Sequence, residues 1–284
     1  MLRAEDLRLV ESLTALLRNT MDWGSYLCRG VGGELETRPY FDESMYAKGV
    51  NAPFINIAQL PAQKVVEDYT GRFENEGRDI ARAADDIIET LKNEAGLSSG
   101  SVVVDYGSGT GLFLSRLSSA VGSSGTVLAT EISDAFRRRL IERSNGMENV
   151  RVIHSSDARD PKLQGFEGKI DVAFLCDVYH HIEFPLTICR HLRRSLKPGS
   201  GRLFLIDFHR DQGIHTSHPE DPEWILKHVR GDQATFRREI ESCGFELISS
   251  PPCPFIPENY IMIFKAVDDA KWQTVGTGWG TSRR

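Results

Sequence analysis

A glycine-rich stretch that follows an apolar run is the first place where residue types and spacing suggest chemistry. The run Val102–Tyr106 is apolar except for Asp105, and Gly107, Gly109 and Gly111 follow it at alternating positions. Glycine lets a backbone turn tightly and approach a ligand closely, and a helix that begins after the turn offers unpaired amide groups. The pattern therefore predicts a buried strand, a ligand-binding turn and a helix, in that order.

Asp105, the acidic residue before the glycines, limits which ligands the turn can bind. The spacing is GxGxG, with Ser108 and Thr110 between the glycines, and not the GxGxxG of dinucleotide sites. A carboxylate at Asp105 suits a ligand with an amino group or a bound water network, and it would repel a pyrophosphate. A nicotinamide-dependent oxidoreductase, which is the competing function for such a fold, is disfavoured on both counts.

This stretch resembles motif I of the class I S-adenosylmethionine (SAM)-dependent methyltransferases, in which an acidic residue precedes GxGxG. Later positions match further family motifs in the same order, including the turn Leu196-Lys197-Pro198-Gly199 before the fifth predicted strand. The resemblance implies that SAM is the cofactor and S-adenosylhomocysteine the product. It implies that Glu131 accepts hydrogen bonds from the ribose hydroxyls, and that Asp157 and Ala158 contact the adenine. The residues expected to bind the cofactor are Asp105, Gly107, Ser108, Gly109, Gly111, Glu131, Asp157, Ala158 and Asp177.

Two adjacent histidines follow the fourth predicted strand, in the segment Asp177-Val178-Tyr179-His180-His181-Ile182. Related small-molecule methyltransferases often carry an acid or Asn, an aromatic residue and one or two histidines there. Histidine is the commonest general base near neutral pH. We expect His181, or else His180, to orient or deprotonate the acceptor, and His209 after the fifth strand is a further catalytic candidate. The alternative is that the adjacent pair is structural and bonds the backbone.

No metal site is expected from the spacing of the candidate ligands. Asp207, His209, His215 and His218 would be an alternative ligand set, but the closed four-ligand pattern of a zinc site is missing. The five cysteines are scattered without a CxxC pair, as is typical of reduced thiols in the cytoplasm. They give no basis for the thiol chemistry of arsenite methyltransferases.

The elements that must position these residues alternate between short apolar runs and helical patterns from residue 101 onward. The predicted strands are Val102–Tyr106, Thr126–Glu131, Val150–His154, Ile170–Cys176, Gly201–Phe208, Phe245–Ser249 and Asn259–Phe264. The predicted helices between them are Gly111–Ala120, Asp134–Ser144, Phe184–Ser195 and Gln233–Cys243. The continuous apolar character of the runs indicates strands covered on both faces. The fold class predicted is α/β, a doubly wound, mostly parallel seven-stranded sheet with an N-terminal helical or irregular cap.

Three segments are predicted along the chain. Residues 1–97 form an N-terminal helical cap or lid, residues 98–267 the SAM-binding methyltransferase domain, and residues 268–284 a flexible C-terminal tail. Within the first segment an amphipathic helix opens the chain, and a second helix covers Asp79–Asn93. The aromatic stretch between them is the candidate lid, where Tyr40 and Tyr46 could box a cationic group. Packing of these rings in a helical cap is the alternative.

Composition limits the function further. The net charge of -6 and pI near 5.8 give no basic footprint, so no nucleic acid partner is expected. No apolar run approaches the roughly 18–20 residues that span a bilayer, so no membrane partner is expected and the protein is placed in the cytoplasm, as a possible homodimer. The function predicted is methyl transfer from SAM to a small-molecule acceptor by in-line displacement. A protein or peptide methyltransferase and a non-catalytic SAM-binding regulatory subunit are the alternatives.

Overall fold

The fold is organised around one sheet whose strands are almost entirely apolar. The computed structural model describes residues 51, 54, 62–211, 213–215, 221 and 223–267. Within these residues the strands are β1 (Val102–Tyr106), β2 (Thr126–Glu131), β3 (Val150–His154), β4 (Val172–Cys176), β5 (Arg202–Phe208), β6 (Phe245–Ser249) and β7 (Asn259–Ala266). Their spatial order is β3-β2-β1-β4-β5-β7-β6, with β1 to β5 parallel and β7 antiparallel to both neighbours. The predicted seven-stranded, mostly parallel sheet is confirmed.

Among the described residues, helices precede β1 and connect several of the strands. They are α1 (Ala62–Phe73), α2 (Asp79–Arg82), α3 (Ala84–Ala95), α4 (Leu114–Val121), α5 (Asp134–Arg143), α6 (Pro185–Ser195), α7 (Trp224–His228) and α8 (Gln233–Ser242). Helix α6 begins with a proline at its first position, where the missing amide costs nothing, and the Asp232 side chain caps α8 by accepting from the Thr235 amide at 2.8 Å. None of the helices that the structure describes is both long and apolar enough to cross a membrane.

The core lies on both faces of the sheet because successive strand residues point to opposite sides. Val103 of β1 belongs to a cluster with Leu91 of α3 and Leu114 of α4, all with no exposed surface. Its neighbour Val104 is equally buried but lies outside that cluster. Apolar residues at consecutive positions therefore fit a strand that has no solvent-facing side.

Several boundaries differ from the predictions. The helix predicted over Asp79–Asn93 is divided into α2 and α3, because Ala83 between them has φ -93° and ψ 13°. The helix predicted from Gly111 begins only at Leu114, because the φ of +92° at Gly111 is not helical. Helices α1 and α7 were not predicted.

Some expectations lie outside the described residues. These are the amphipathic helix that opens the chain, the boxing role of Tyr40 and Tyr46, and the tail over 268–284. The division into cap, domain and tail stays a prediction.

The order in which strands are added to the sheet reverses between β1 and β4, and this switch point defines where a ligand can bind. The chain runs outward from β1 through β2 to β3, and then returns to the other side of β1 as β4. Such a switch point leaves a crevice outside the carboxyl ends of the strands. Acidic residues end the strands there or follow them directly: Asp105, Glu131, Asp177 and Asp207.

Candidate active site

A cavity of about 940 Å³ opens at this carboxyl edge of the sheet. Its volume lies within the range of small-molecule and cofactor sites. The glycine loop and Glu131 line it, and so do residues that follow β4, among them His180 and His181. Residues placed far apart in the sequence, such as Arg78, His228 and Asn259, line it as well.

The backbone of the glycine loop requires glycine at its first position. Gly107 has φ +74°, and a Cβ there would lie 2.4 Å from Cγ2 of Val178. Its amide donates to the carbonyl of Thr130 at 3.0 Å, which ties the loop to the end of β2. Ser108 donates its hydroxyl to the carbonyl of Asp105 at 2.9 Å. The loop is thus a rigid turn pressed between β2 and the segment after β4.

Gly111, the third glycine of the motif, has a different environment. A Cβ at this position would lie 2.9 Å from Cδ2 of Leu140 in α5. Gly111 is not among the residues that line the cavity. Here glycine permits close packing of the loop against α5.

Glu131 at the end of β2 is fixed by two backbone amides. Its carboxylate accepts from the amide of Gly109 at 2.8 Å and from that of Ser133 at 2.8 Å. Burial raises the pKa of Glu131, and these amide hydrogen bonds oppose the rise. Each carboxylate oxygen has a second acceptor position, so this group can still receive hydroxyl donors from a ligand in the cavity.

Asp105 at the end of β1 is buried and lines the cavity. Burial raises its pKa to about 7, and the charge of Glu131 adds to the rise, whereas the Ser108 side chain opposes it. Burial therefore favours the neutral form of this carboxyl group more than in an exposed aspartate. A ligand amino group would favour its ionised form.

Asp177 follows β4 with a left-handed φ of +49°, which is uncommon outside glycine. Its Oδ2 forms an ion pair with Arg78, and its Oδ1 accepts from the side-chain amide of Asn259 at 2.7 Å. Burial raises the pKa of Asp177 to about 6, and the Arg78 charge opposes the rise. Both carboxylate oxygens of this predicted cofactor residue thus already have protein partners.

Asp157 and Ala158 lie at the margin of the site. Asp157 is exposed, accepts from the amide of Arg159 at 2.9 Å and does not line the cavity. Ala158 lines a smaller pocket of about 50 Å³, which shares Gly107 and Glu131 with the main cavity.

Three histidines meet in the wall of the cavity. His180 lies in a 3-10 turn over Tyr179–His181 and is buried, with its Nδ1 2.7 Å from Oδ1 of Asp207. Its Nε2 lies 3.2 Å from Nε2 of His228 in α7. The His181 ring lies with its centroid 4.9 Å from that of His228. Burial lowers the pKa of His181 well below its ordinary value, and the two neighbouring imidazoles lower it further.

His209, the third histidine proposed for catalysis, is not part of this group. Its ring packs at 5.3 Å against that of Tyr260, and it is not among the cavity-lining residues. Its carbonyl accepts from Nε2 of His215 at 2.6 Å. The structure therefore brings His180 and His181 together with His228, which the sequence analysis missed, and leaves His209 aside.

A group of aromatic rings adjoins the glycine loop. Tyr69 and Phe73 of α1 contact Phe136 of α5, and Phe54 contacts Tyr69, with ring centroids 5.2 to 6.3 Å apart. All four rings line the cavity. Phe54 also meets His181 edge-on at 5.4 Å, so this aromatic wall reaches from the loop to the histidines.

Fold and site together define a class of protein. The family model described as "Methyltransferase domain" matches residues 76–250. The chain belongs to this family, the class I SAM-dependent methyltransferases, and SAM is its cofactor.

Individual relatives extend this result. The chain is similar to the ubiquinone/menaquinone biosynthesis C-methyltransferase UbiE of Pseudomonas putida, with 31% identity over 182 residues, which are 55% of this chain and 69% of UbiE. The chain is also similar to the highly reducing polyketide synthase azaB of Aspergillus niger, with 33% identity over 121 residues. These residues are 39% of this chain and 5% of the polyketide synthase. The crystal structure of a SAM-dependent methyltransferase from Aquifex aeolicus shares the fold, at a TM-score of 0.52 and 24% identity over 63% of this chain and 88% of that one.

Proposed function

We propose that this protein transfers the methyl group of SAM to a small-molecule acceptor held against His180, His181 and His228. The observation that carries the proposal is that one cavity contains both the glycine loop and these imidazoles. A cofactor on the loop and an acceptor at the histidines would share this space. Holding the two reactants at near-attack distance supplies most of the rate in such a displacement.

The two sides of the cavity suit two different ligands. Asp105 and Glu131 present carboxyl groups next to backbone amides of the loop, which suits the amino and hydroxyl groups of SAM. Asp157 and Ala158 would lie towards the adenine. The aromatic wall and the histidines offer apolar surface with a few nitrogen atoms, which suits an organic acceptor of modest polarity.

The histidines suit an acceptor that loses a proton on methylation. Asp207 accepts the Nδ1 proton of His180, which makes Nε2 of a neutral His180 an acceptor, 3.2 Å from Nε2 of His228. His181 lies on the same cavity wall, and one of the two can orient the acceptor or take its proton. UbiE is named a C-methyltransferase, so acceptors with an acidic C–H group are the first class to test. The net charge of -6 supports a small molecule over a nucleic acid.

Labelled SAM provides the direct experiment. The protein is incubated with methyl-deuterated SAM and a fractionated metabolite extract, and labelled products are identified by mass. His181→Gln should reduce product formation roughly 100-fold or more while SAM binding is unchanged, since general acid–base groups contribute about 10² to 10⁴ in rate. His191→Gln, on α6 away from the cavity, is the matched control and should retain the wild-type rate.

Three results would contradict the proposal. A labelled peptide would identify a protein methyltransferase. SAM binding without product from any fraction would indicate a regulatory subunit. Equal rates in His181→Gln and His191→Gln would exclude the histidine from the reaction.

A further inference from the structure

The three histidines of the cavity converge closely enough to share one ligand. Each of His180, His181 and His228 offers a ring nitrogen, and the three nitrogens lie within 4.8 Å of one another. The ring centroids form a triangle with sides of 4.4, 4.9 and 4.9 Å. Two of the residues come from the turn after β4 and the third from the end of α7.

The measured separation fits coordination to a transition metal. With metal–nitrogen bonds of about 2.0–2.1 Å in a tetrahedral site, two ligand nitrogens lie about 3.4 Å apart. Nε2 of His180 and Nε2 of His228 are 3.2 Å apart. The ring nitrogen of His181 lies within 4.8 Å of both.

Asp207 supplies the outer carboxylate that metal-binding histidines commonly have. It accepts from Nδ1 of His180 at 2.7 Å and from the His180 amide at 3.1 Å, and neither side chain is exposed to more than 1%. Its Oδ1 also accepts from the amide of Phe208 at 2.8 Å, so the carboxylate cannot rotate freely. A carboxylate in this position fixes the ring and leaves Nε2 as an electron-pair donor.

His181 adds an independent observation. Among the described residues, its Nδ1 is buried and has no hydrogen-bond partner. A buried nitrogen without a partner carries an uncompensated cost of lost hydration, and such groups are rare in folded proteins. A hydrogen bond between His180 and His228 alone would leave this cost in place, whereas a metal ion shared by the cluster would remove it.

We infer that His180, His181 and His228 bind one divalent transition-metal ion of the Zn²⁺ type. Imidazole suits Zn²⁺ and its neighbours in the first transition row, and three protein ligands leave a position open, as in catalytic sites. The three histidines line the cavity, so an oxygen atom of the acceptor can occupy that position. This last step rests on the proposed function, with the histidines orienting the acceptor and not acting as its base. It narrows the acceptor class to molecules with a hydroxyl or carbonyl oxygen beside the methylated atom.

Zinc titration tests the site without reference to methylation. Untagged protein is freed of metal with a chelator and titrated with Zn²⁺ against a chromophoric competitor. We expect one Zn²⁺ per chain, and with Co²⁺ in place of Zn²⁺ we expect visible absorption of tetrahedral type. His228→Gln should weaken Zn²⁺ binding at least ten-fold, and Asp207→Asn should weaken it about 10- to 100-fold. His191→Gln is the matched control and should bind as the wild type does.

Circular dichroism and SAM titration of each variant are the controls for an intact fold. Absence of stoichiometric Zn²⁺ binding, or equal affinity in the wild type and His228→Gln, would overturn the inference. Product formation measured on the same metal-free preparation separates the two proposals. Methylation without Zn²⁺ binding leaves the proposed function standing and removes the metal site. Zn²⁺ binding without methylation of any acceptor leaves the metal site standing and removes the proposed function.

Discussion

Replacing Gly107 by alanine tests how the glycine loop is built. The residue has φ +74°, and the added Cβ would lie 2.4 Å from Cγ2 and 3.2 Å from Cβ of Val178. Rotation of the Val178 side chain can move Cγ2 away, but the contact with its Cβ remains. Two separate costs therefore arise, one from the backbone conformation and one from the packing.

The size of each cost follows from the geometry. A left-handed conformation costs a residue with a Cβ about 1–2 kcal/mol, and overpacking costs about 1–3 kcal/mol. We expect Gly107→Ala to lower the free energy of unfolding by about 2–5 kcal/mol, and to weaken SAM binding because the loop must move. Gly146, with φ +83° and no atom within 4 Å of an added Cβ, offers a matched control. Gly146→Ala should show the backbone cost alone.

Urea unfolding of four variants measures both parts. These are Gly107→Ala, Gly146→Ala, Val178→Ala and the double variant Gly107→Ala/Val178→Ala. The valine substitution removes the clashing methyl groups but keeps the Cβ contact at 3.2 Å, so the double variant should regain part of the packing cost of about 1–3 kcal/mol relative to the sum of the single effects. Equal losses in Gly107→Ala and Gly146→Ala, or strict additivity in the double variant, would refute the assigned clash.

Three other perturbations have definite expected outcomes. The raised pKa of Asp105, about 7 against 3.8, means that the folded state binds this proton more tightly, so stability falls as pH rises from about 4 to 7. Asp105→Asn should remove up to about 4 kcal/mol of that dependence, measured as the difference between wild-type and variant unfolding curves across this range without SAM. Arg78→Gln removes the positive charge beside Asp177, so the pKa of the Asp177 carboxyl should rise above about 6. The NMR shift of the carboxyl carbon, followed against pH, measures this change. An unchanged titration of Asp177 would argue against the ion pair. Arg230→Met leaves the buried Glu239 without its two hydrogen bonds of 2.6 and 2.8 Å and should cost about 3–5 kcal/mol in thermal unfolding, whereas a loss below about 1 kcal/mol would contradict this role.

Local patterns carried most of the fold prediction. Each strand is a short apolar run with a turn signal at its end, and both features depend on neighbouring residues alone. The resemblance to the methyltransferase family rested on such local motifs, and the family and the sheet are confirmed. Ala83 shows the limit, since no residue preference at this position indicates that the chain leaves the helical conformation there.

The residues missed at the site come from tertiary contacts. His228 is in a five-residue helix, which is too short to show a periodic signal. The stacking of its ring on that of Trp224, with centroids 4.6 Å apart, is a contact that only the structure reveals. Arg78 and Asn259 both bond Asp177, but they are separated from it by 99 and 82 positions. Only the pairing of β7 with β5, in which Asn259 lies opposite Phe208, brings this amide to the cavity.

The position of β7 has a consequence for how the chain folds during synthesis. This strand inserts between β5 and β6, although it is the last of the seven to leave the ribosome. Until residues 259–266 emerge, β5 has an unpaired edge with apolar side chains such as Leu203 and Leu205, and such edges favour aggregation. Asn259 likewise reaches Asp177 only at this stage. The edge of β5 therefore stays unpaired until the final strand closes the sheet, and the part of the cavity wall that Asn259 forms is completed in the same step.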